Sequence, residues 1–146
     1  MCIEPNRRRR ALLAALTSAI AVPGVALAQD PRASQVDKAA RDWLALADKL
    51  DGSGTWKAAG QRFQAAVSED RWAALLRQER ERRGAVEQRA AAGTSFTSQL
   101  RSIPESGSYA MVHFRTSFAN EPSATEDVTL EQGADSTWRV IGYVIH

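Results

Sequence analysis

The sequence predicts an α+β domain in which three helices pack on a curved antiparallel sheet of about four strands. Three observations carry this expectation. Apolar residues recur at helical spacing from Val36 to Leu76, the period shortens to two after Gly84, and the last extended runs gather one apolar set on one side.

Ser34 is expected to cap the first helix, with Asp37 three residues on as its acidic partner. Val36, Ala40, Trp43, Ala47 and Leu50 then follow at steps of four and three, which is one face of a helix. Asp51-Gly52-Ser53-Gly54 reads as the turn that ends it. A second helix over 55–67 carries Trp56, Ala59, Phe63 and Ala66 on one side. Ser68, followed by Glu69 and Asp70, starts a third, because acids suit the positive end of the helix dipole. Its buried stripe is expected from Trp72, Leu75 and Leu76, and its charged end over 78–83 is expected to stand in water until Gly84 stops it.

Strands are expected over 85–101 (with a bulge near 90–93), 108–118, 124–132 and 137–145. A loop centred on Glu121 pairs Phe114 with Val128, Thr116 with Glu126 and, on the other side, Arg115 with Asp127. A tight turn after Gln132 pairs Leu130 with Trp138, Val128 with Val140 and Glu126 with Gly142. Both hairpins put Val112, Phe114, Phe118, Val128, Leu130, Trp138, Val140 and Val144 on the helix-covered face. The last strand then shows Ile141, Tyr143 and Ile145 on its other face. Apolarity on both sides points to a cover, either the first strand and its loop or a second copy in a homodimer.

The chain opens with Arg7–Arg10, an apolar run from Ala11 to Val25 and Ala26-Leu27-Ala28, the pattern of a cleaved secretory signal peptide. Residues 1–28 are read as that signal, 29–33 as a flexible lead-in and 34–146 as one domain. Export to the periplasm or beyond is expected by the Sec route, with twin-arginine export as the alternative. The leader contributes four arginines and one glutamate, a net +3 of the chain's +2, so the 118 residues after it carry −1. The positive charge therefore belongs to the targeting segment and does not indicate nucleic-acid binding; no membrane contact is expected after cleavage. The single cysteine, Cys2, lies in the leader, which leaves the domain with no disulfide, thiol nucleophile or cysteine metal site.

In the C-terminal half, Arg80 with Gly84, Arg89, Ile103-Pro104-Glu105-Ser106-Gly107-Ser108-Tyr109, Phe114-Arg115-Thr116-Ser117-Phe118-Ala119-Asn120, Glu126 and Trp138-Arg139-Val140-Ile141-Gly142-Tyr143 resemble an exported bacterial family, the domain of unknown function 4019. The helix with Trp43, followed by Trp56 and Phe63, is similar to that family's N-terminal half. The Ile103–Gly107 turn departs from the family's pattern in having fewer prolines and glycines. The resemblance implies a cone-like fold similar to nuclear transport factor 2, and it implies no activity.

Among candidate site residues, Glu126 stands out, because the register points it to the helix-covered face. A buried carboxylate must be paired, hydrated or neutral. It either orients a ligand or acts as a base at the floor of a pocket, or it serves structure by binding an arginine such as Arg89. Trp43, Trp56, Phe63, Phe114 and Trp138 would line such a pocket, or simply fill the core. His113 falls on the outer face with Tyr109 and Met111, and no Ser-His-Asp set assembles around it. No metal-ligating motif and no phosphate loop are present, and no cofactor is expected. The expected function is non-catalytic binding of a small apolar or amphipathic molecule or of a protein partner. The alternatives are a small hydrolase or isomerase using Glu126, and a structural homodimer.

Overall fold

The computed structural model describes residues 30–146, so the expected signal peptide and the start of the lead-in lie outside the described residues. Four helices come first: α1 (Arg32–Asp48), α2 (Gly52–Ala58), α3 (Gln61–Ala66) and α4 (Glu69–Arg83). Four strands follow, β1 (Val86–Thr97), β2 (Tyr109–Phe118), β3 (Glu121–Gln132) and β4 (Trp138–Ile145), in one antiparallel sheet of order β1-β2-β3-β4. The α+β expectation holds, with one more helix than expected.

The extra helix arises from a break. Ala59 and Gly60 are extended, which divides the expected helix over 55–67 into α2 and α3. The Gly60 amide donates to the Val140 carbonyl (2.8 Å), tying the break to β4. A Cβ on residue 60 would come within 3.0 Å of the Ile141 side chain, so only glycine allows this approach without displacement. Two helix starts also differ from expectation. Asp30 accepts the Arg32 amide (2.9 Å), so α1 begins ahead of Ser34, whose hydroxyl donates to the Pro31 carbonyl. The Asp51–Gly54 segment is the start of α2, with Asp51 accepting the Gly54 amide (2.8 Å).

The core lies between α1, α4 and one sheet face. It joins Val36, Ala40, Trp43, Leu44 and Ala47 of α1 to Val112, Phe114, Val128, Leu130, Trp138 and Val140 of the strands. Each of those strand residues is on the face expected for it, although both hairpin registers differ from the expected ones. The β2–β3 turn is only Ala119-Asn120, so Val112 faces Val128 and Phe114 faces Glu126. The difference from the expected pairing is two residues, which leaves every side chain on its face. It also replaces the expected Arg115–Asp127 pair: Asp127 faces His113, and Arg115 faces Thr125. Pro122 has no N–H for the ladder, and the pairing is irregular beside it, between Thr116 and Phe118.

In β4 the difference does change faces. Leu130 pairs with Val140 but Thr129 pairs with Gly142, so Ile141 is an extra residue in a bulge. Beyond the bulge the alternation inverts. Tyr143 falls opposite Val128 and Ile145 opposite Glu126, while Val144 is 50% exposed. The expected outer surface of Ile141, Tyr143 and Ile145, and the inward place of Val144, are therefore both corrected. Ile141 packs at Gly60, and the Tyr143 ring lies 5.2 Å from Trp43.

Candidate functional site

Glu126 sits in the middle strand pair of the sheet with no solvent exposure. Five hydrogen bonds converge on its two oxygens. Oε1 accepts from Arg80 Nη1 (3.2 Å), Arg89 Nη2 (3.1 Å) and the Tyr143 hydroxyl (2.5 Å). Oε2 accepts from Arg89 Nε (2.6 Å) and the Thr116 hydroxyl (2.5 Å). Asp48, at the end of α1, binds both guanidiniums from the other side, accepting Arg80 Nη2 and two donors of Arg89 (2.8 and 2.9 Å). Two arginines thus lie between two carboxylates, and the formal charges of the four groups cancel. That is the arrangement under which charged groups tolerate burial.

Each member arrives from a different element. Thr116 and Glu126 are on inward positions of β2 and β3, and Arg89 comes from β1. Tyr143 joins them only because the Ile141 bulge turns it inward. Arg80 extends the buried stripe of α4, since Trp72, Leu76 and Arg80 recur at steps of four. At 4% exposure Arg80 is as buried as the core, and its guanidinium lies 5.2 Å from the Phe118 ring centroid. The charged end of α4 therefore does not stand entirely in water: Arg83 is buried as well, while Leu75, expected inside, is 42% exposed.

Proton affinities follow from this packing. Burial works against the Arg89 charge, but Asp48 and Glu126 outweigh it and raise its pKa above the ordinary arginine value. Burial likewise opposes the Asp48 charge, and the two arginines more than offset it, so its carboxyl titrates below the usual aspartate range. Burial and the adjacent Glu126 charge push the Tyr143 phenol well above its ordinary value. The phenol stays protonated and donates to Glu126. Clefts of about 220, 280 and 450 Å³ reach the cluster at Tyr143, at Asp48 and Arg80, and at Thr116, but none of them touches Glu126.

The expected pocket residues do not form one site. Trp43 and Phe63 meet edge-on (6.2 Å), both beside Trp72 (5.9 and 4.8 Å), and they fill the core. Trp43 Nε1 donates to the Thr55 carbonyl and Trp72 Nε1 to the Thr55 hydroxyl, both at 2.9 Å. Trp56 is half-buried at the edge of this group, bonded through Nε1 to the Val67 carbonyl (2.8 Å). Phe114 is fully buried across from Glu126. Trp138 is at the other end of the sheet face, near Phe96 (6.1 Å). It lines a cleft of about 440 Å³ between α1 and the start of β4, with Ala39, Trp43, Leu46, Ala58 and Val140 as apolar wall. Its Nε1, buried with the rest of the side chain, has no hydrogen-bond partner.

His113 is half-exposed and bonded to Asp127 (2.7 Å), whose second oxygen meets His146 (3.2 Å). Among the described residues, neither imidazole bonds to a hydroxyl that could act as a nucleophile. Tyr109, expected beside His113 on an open face, is instead buried, with its hydroxyl donating to the Glu105 carbonyl (3.0 Å).

Sequence reasoning singled out Glu126 and Arg89 and placed Thr116 opposite Glu126, but missed Asp48, Arg80 and Tyr143 as partners of that carboxylate. For Arg80 a signal existed in its spacing from Trp72 and Leu76, hidden by the charges around it. Tyr143 had none, because a single-residue bulge is invisible to strict alternation.

The chain is similar in structure to a protein from Catenulispora acidiphila, at 13% identity and a TM-score of 0.52, over 78% of this chain and 89% of that one. It is also similar to Aln2 from a Streptomyces species, at 12% identity and a TM-score of 0.50, over 81% and 92%. At these identities the likeness is one of fold, the nuclear transport factor 2-like arrangement of helices over a four-stranded antiparallel sheet. No curated protein matches the sequence. Over residues 39–143, which include the Glu126 cluster and Trp138, the sequence matches the model of the family described as Protein of unknown function (DUF4019), and the chain belongs to that family.

Proposed function

We propose that this is an exported, non-catalytic binding domain that acts in the periplasm on a small apolar or amphipathic molecule or on a protein partner. One observation carries the reading: Glu126, the fully buried carboxylate of the domain, is saturated. A general base needs a free lone pair within reach of the proton that it removes. Here both oxygens are occupied by protein donors, and the neighbouring guanidiniums hold the group in place. The cluster ties α1, α4 and all four strands to one another, which is a structural task. The apolar cleft at Trp138 is a concave surface of the size that small ligands occupy.

The test is native mass spectrometry of the protein purified from the periplasm of its own cell. The expected result is a fraction of the protein carrying a bound mass, either a small molecule or a partner. The same spectrum counts subunits and so reads the homodimer alternative directly. A clean single-chain mass across several preparations, together with turnover of ester or enolisable ketone substrates that is lost in Glu126→Gln protein still folded by circular dichroism, would replace this reading with the enzymatic one.

A further inference from the structure

We infer that the domain pairs with a second copy of itself through the open half of β4, with Tyr143 of each chain facing Ile145 of the other and the sheet continuing across a two-fold axis at Val144. The backbone carries the first part of the case. β4 is an edge of the sheet. Thr125 and His146 exchange two backbone hydrogen bonds (3.0 and 2.9 Å), and in an antiparallel ladder such pairs alternate with pairs that exchange none. Counting back from His146 through the regular register, Ile145 opposite Glu126 and Tyr143 opposite Val128 are pairs of the second kind. Their N–H and C=O groups therefore point away from β3, along the free edge, and among the described residues no turn or loop backbone bonds to them. At Val140 the same edge is already taken, because its carbonyl accepts the Gly60 amide.

The side chains carry the second part. From Ile141 to Ile145 the strand has neither charge nor proline, the devices by which a free edge ordinarily repels another strand. The opposite edge, β1, is instead broken by two irregularities in its register, between Val86 and Gln88 and between Ala91 and Gly93. Leu75 and Val144 are the large apolar side chains exposed among the described residues, at 42% and 50%, and both line the cleft of about 220 Å³ beside Tyr143 and Ile145. The occupant of this edge must be an extended strand, and the chain supplies one that matches itself. With the axis at Val144, Tyr143 and Ile145 exchange backbone bonds with Ile145 and Tyr143 of the second copy, so every open group on both chains is satisfied. Faces agree as well: Tyr143 and Ile145 stay inward, and Val144 meets Val144 of the second copy on the outer side. The contact does not depend on the binding reading, since a small molecule held elsewhere neither requires nor forbids it, and failure of one leaves the other standing.

The test uses protein expressed from the full chain with Cys2→Ser, which leaves it without cysteine. Sedimentation velocity over a concentration series is expected to show a reversible dimer. Val144→Lys sets like charges opposite each other at the axis and should weaken the dimer by at least about tenfold. Within its own chain the new cation falls opposite Asp127 at a half-exposed position, so circular dichroism and the urea midpoint should stay close to those of the parent. Amide hydrogen exchange at Tyr143 and Ile145 should be slower in the dimer than in the Val144→Lys monomer. Val144→Cys reads the register. Residues 144 of the two copies form a non-hydrogen-bonded pair with Cα atoms about 4.5 Å apart, within disulfide reach, so mild oxidation should give a covalent dimer. Ser95→Cys, exposed on the outer face of β1, should not cross-link. A monomer at every concentration overturns the inference, as does a dimer that Val144→Lys leaves intact or one that Ser95→Cys links as well as Val144→Cys does. Protection of the Tyr143 and Ile145 amides that appears only when a different protein is added would also overturn it, and would give the edge to that partner.

Discussion

Replacing Glu126 with glutamine is the sharpest test of how the domain is held together. The side chain keeps its size, but the carboxylate's two acceptor oxygens become one oxygen and one NH2 group. That NH2 must face either Arg89 Nε and Thr116, now at 2.6 and 2.5 Å, or the Arg80, Arg89 and Tyr143 donors. At the same time two arginines are left with Asp48 as their only acidic partner in the cluster, an uncompensated positive charge where Arg80 is almost wholly buried. Removing one member of a buried ion pair typically costs about 3–5 kcal/mol. Domain stabilities are of the order of 5–15 kcal/mol, so the variant should be marginal. Urea unfolding followed by tryptophan fluorescence measures the difference, with Asp30→Asn as an exposed-pair control expected to leave the midpoint unchanged. A loss below about 1 kcal/mol in Glu126→Gln would refute the argument, because it would mean that water already solvates the carboxylate.

Four further outcomes follow from the structure. Asp48 has a folded pKa below its unfolded value, so its stabilisation is fully present above about pH 4 and is lost as pH falls through the folded value; the wild type should therefore lose more stability than Asp48→Asn between pH 5 and 2, and parallel urea midpoints would contradict this. Tyr143→Phe removes a phenol that donates to a charged acceptor and should cost about 1.5–3 kcal/mol, whereas a tyrosine on an open sheet face would cost almost nothing. Because the Tyr143 pKa is raised, its stabilising effect is present below about pH 10 and fades above it, and absorbance at 295 nm should show that it ionises only as the protein unfolds. Gly84 sits at φ +80°, where an added Cβ would come within 3.0 Å of the Ala119 side chain, so Gly84→Ala should lower stability by about 1 kcal/mol or more in thermal unfolding; no change in Tm would show that the turn relaxes freely.

The sequence by itself determined the class of fold, the order of elements and the side of the sheet on which most core residues fall. It could do so because periodicity is a local property: Val36, Ala40, Trp43 and Ala47 mark a helix face wherever that helix packs, and Val112, Phe114, Val128 and Leu130 keep their face under any two-residue change of register. It also marked Glu126 as a polar residue in apolar company, with Arg89 as a partner. Only the tertiary structure decided three other things. The Gly60 amide bonds to β4 and splits one expected helix into two. The Ile141 bulge sends Tyr143 inward and removes the expected outer patch. Arg80, expected to stand in water, closes the shell around Glu126 together with Asp48. Each of these depends on a contact between residues far apart in the chain, where burial and charge neutralisation outweigh local preference, and no spacing rule within one segment can register that.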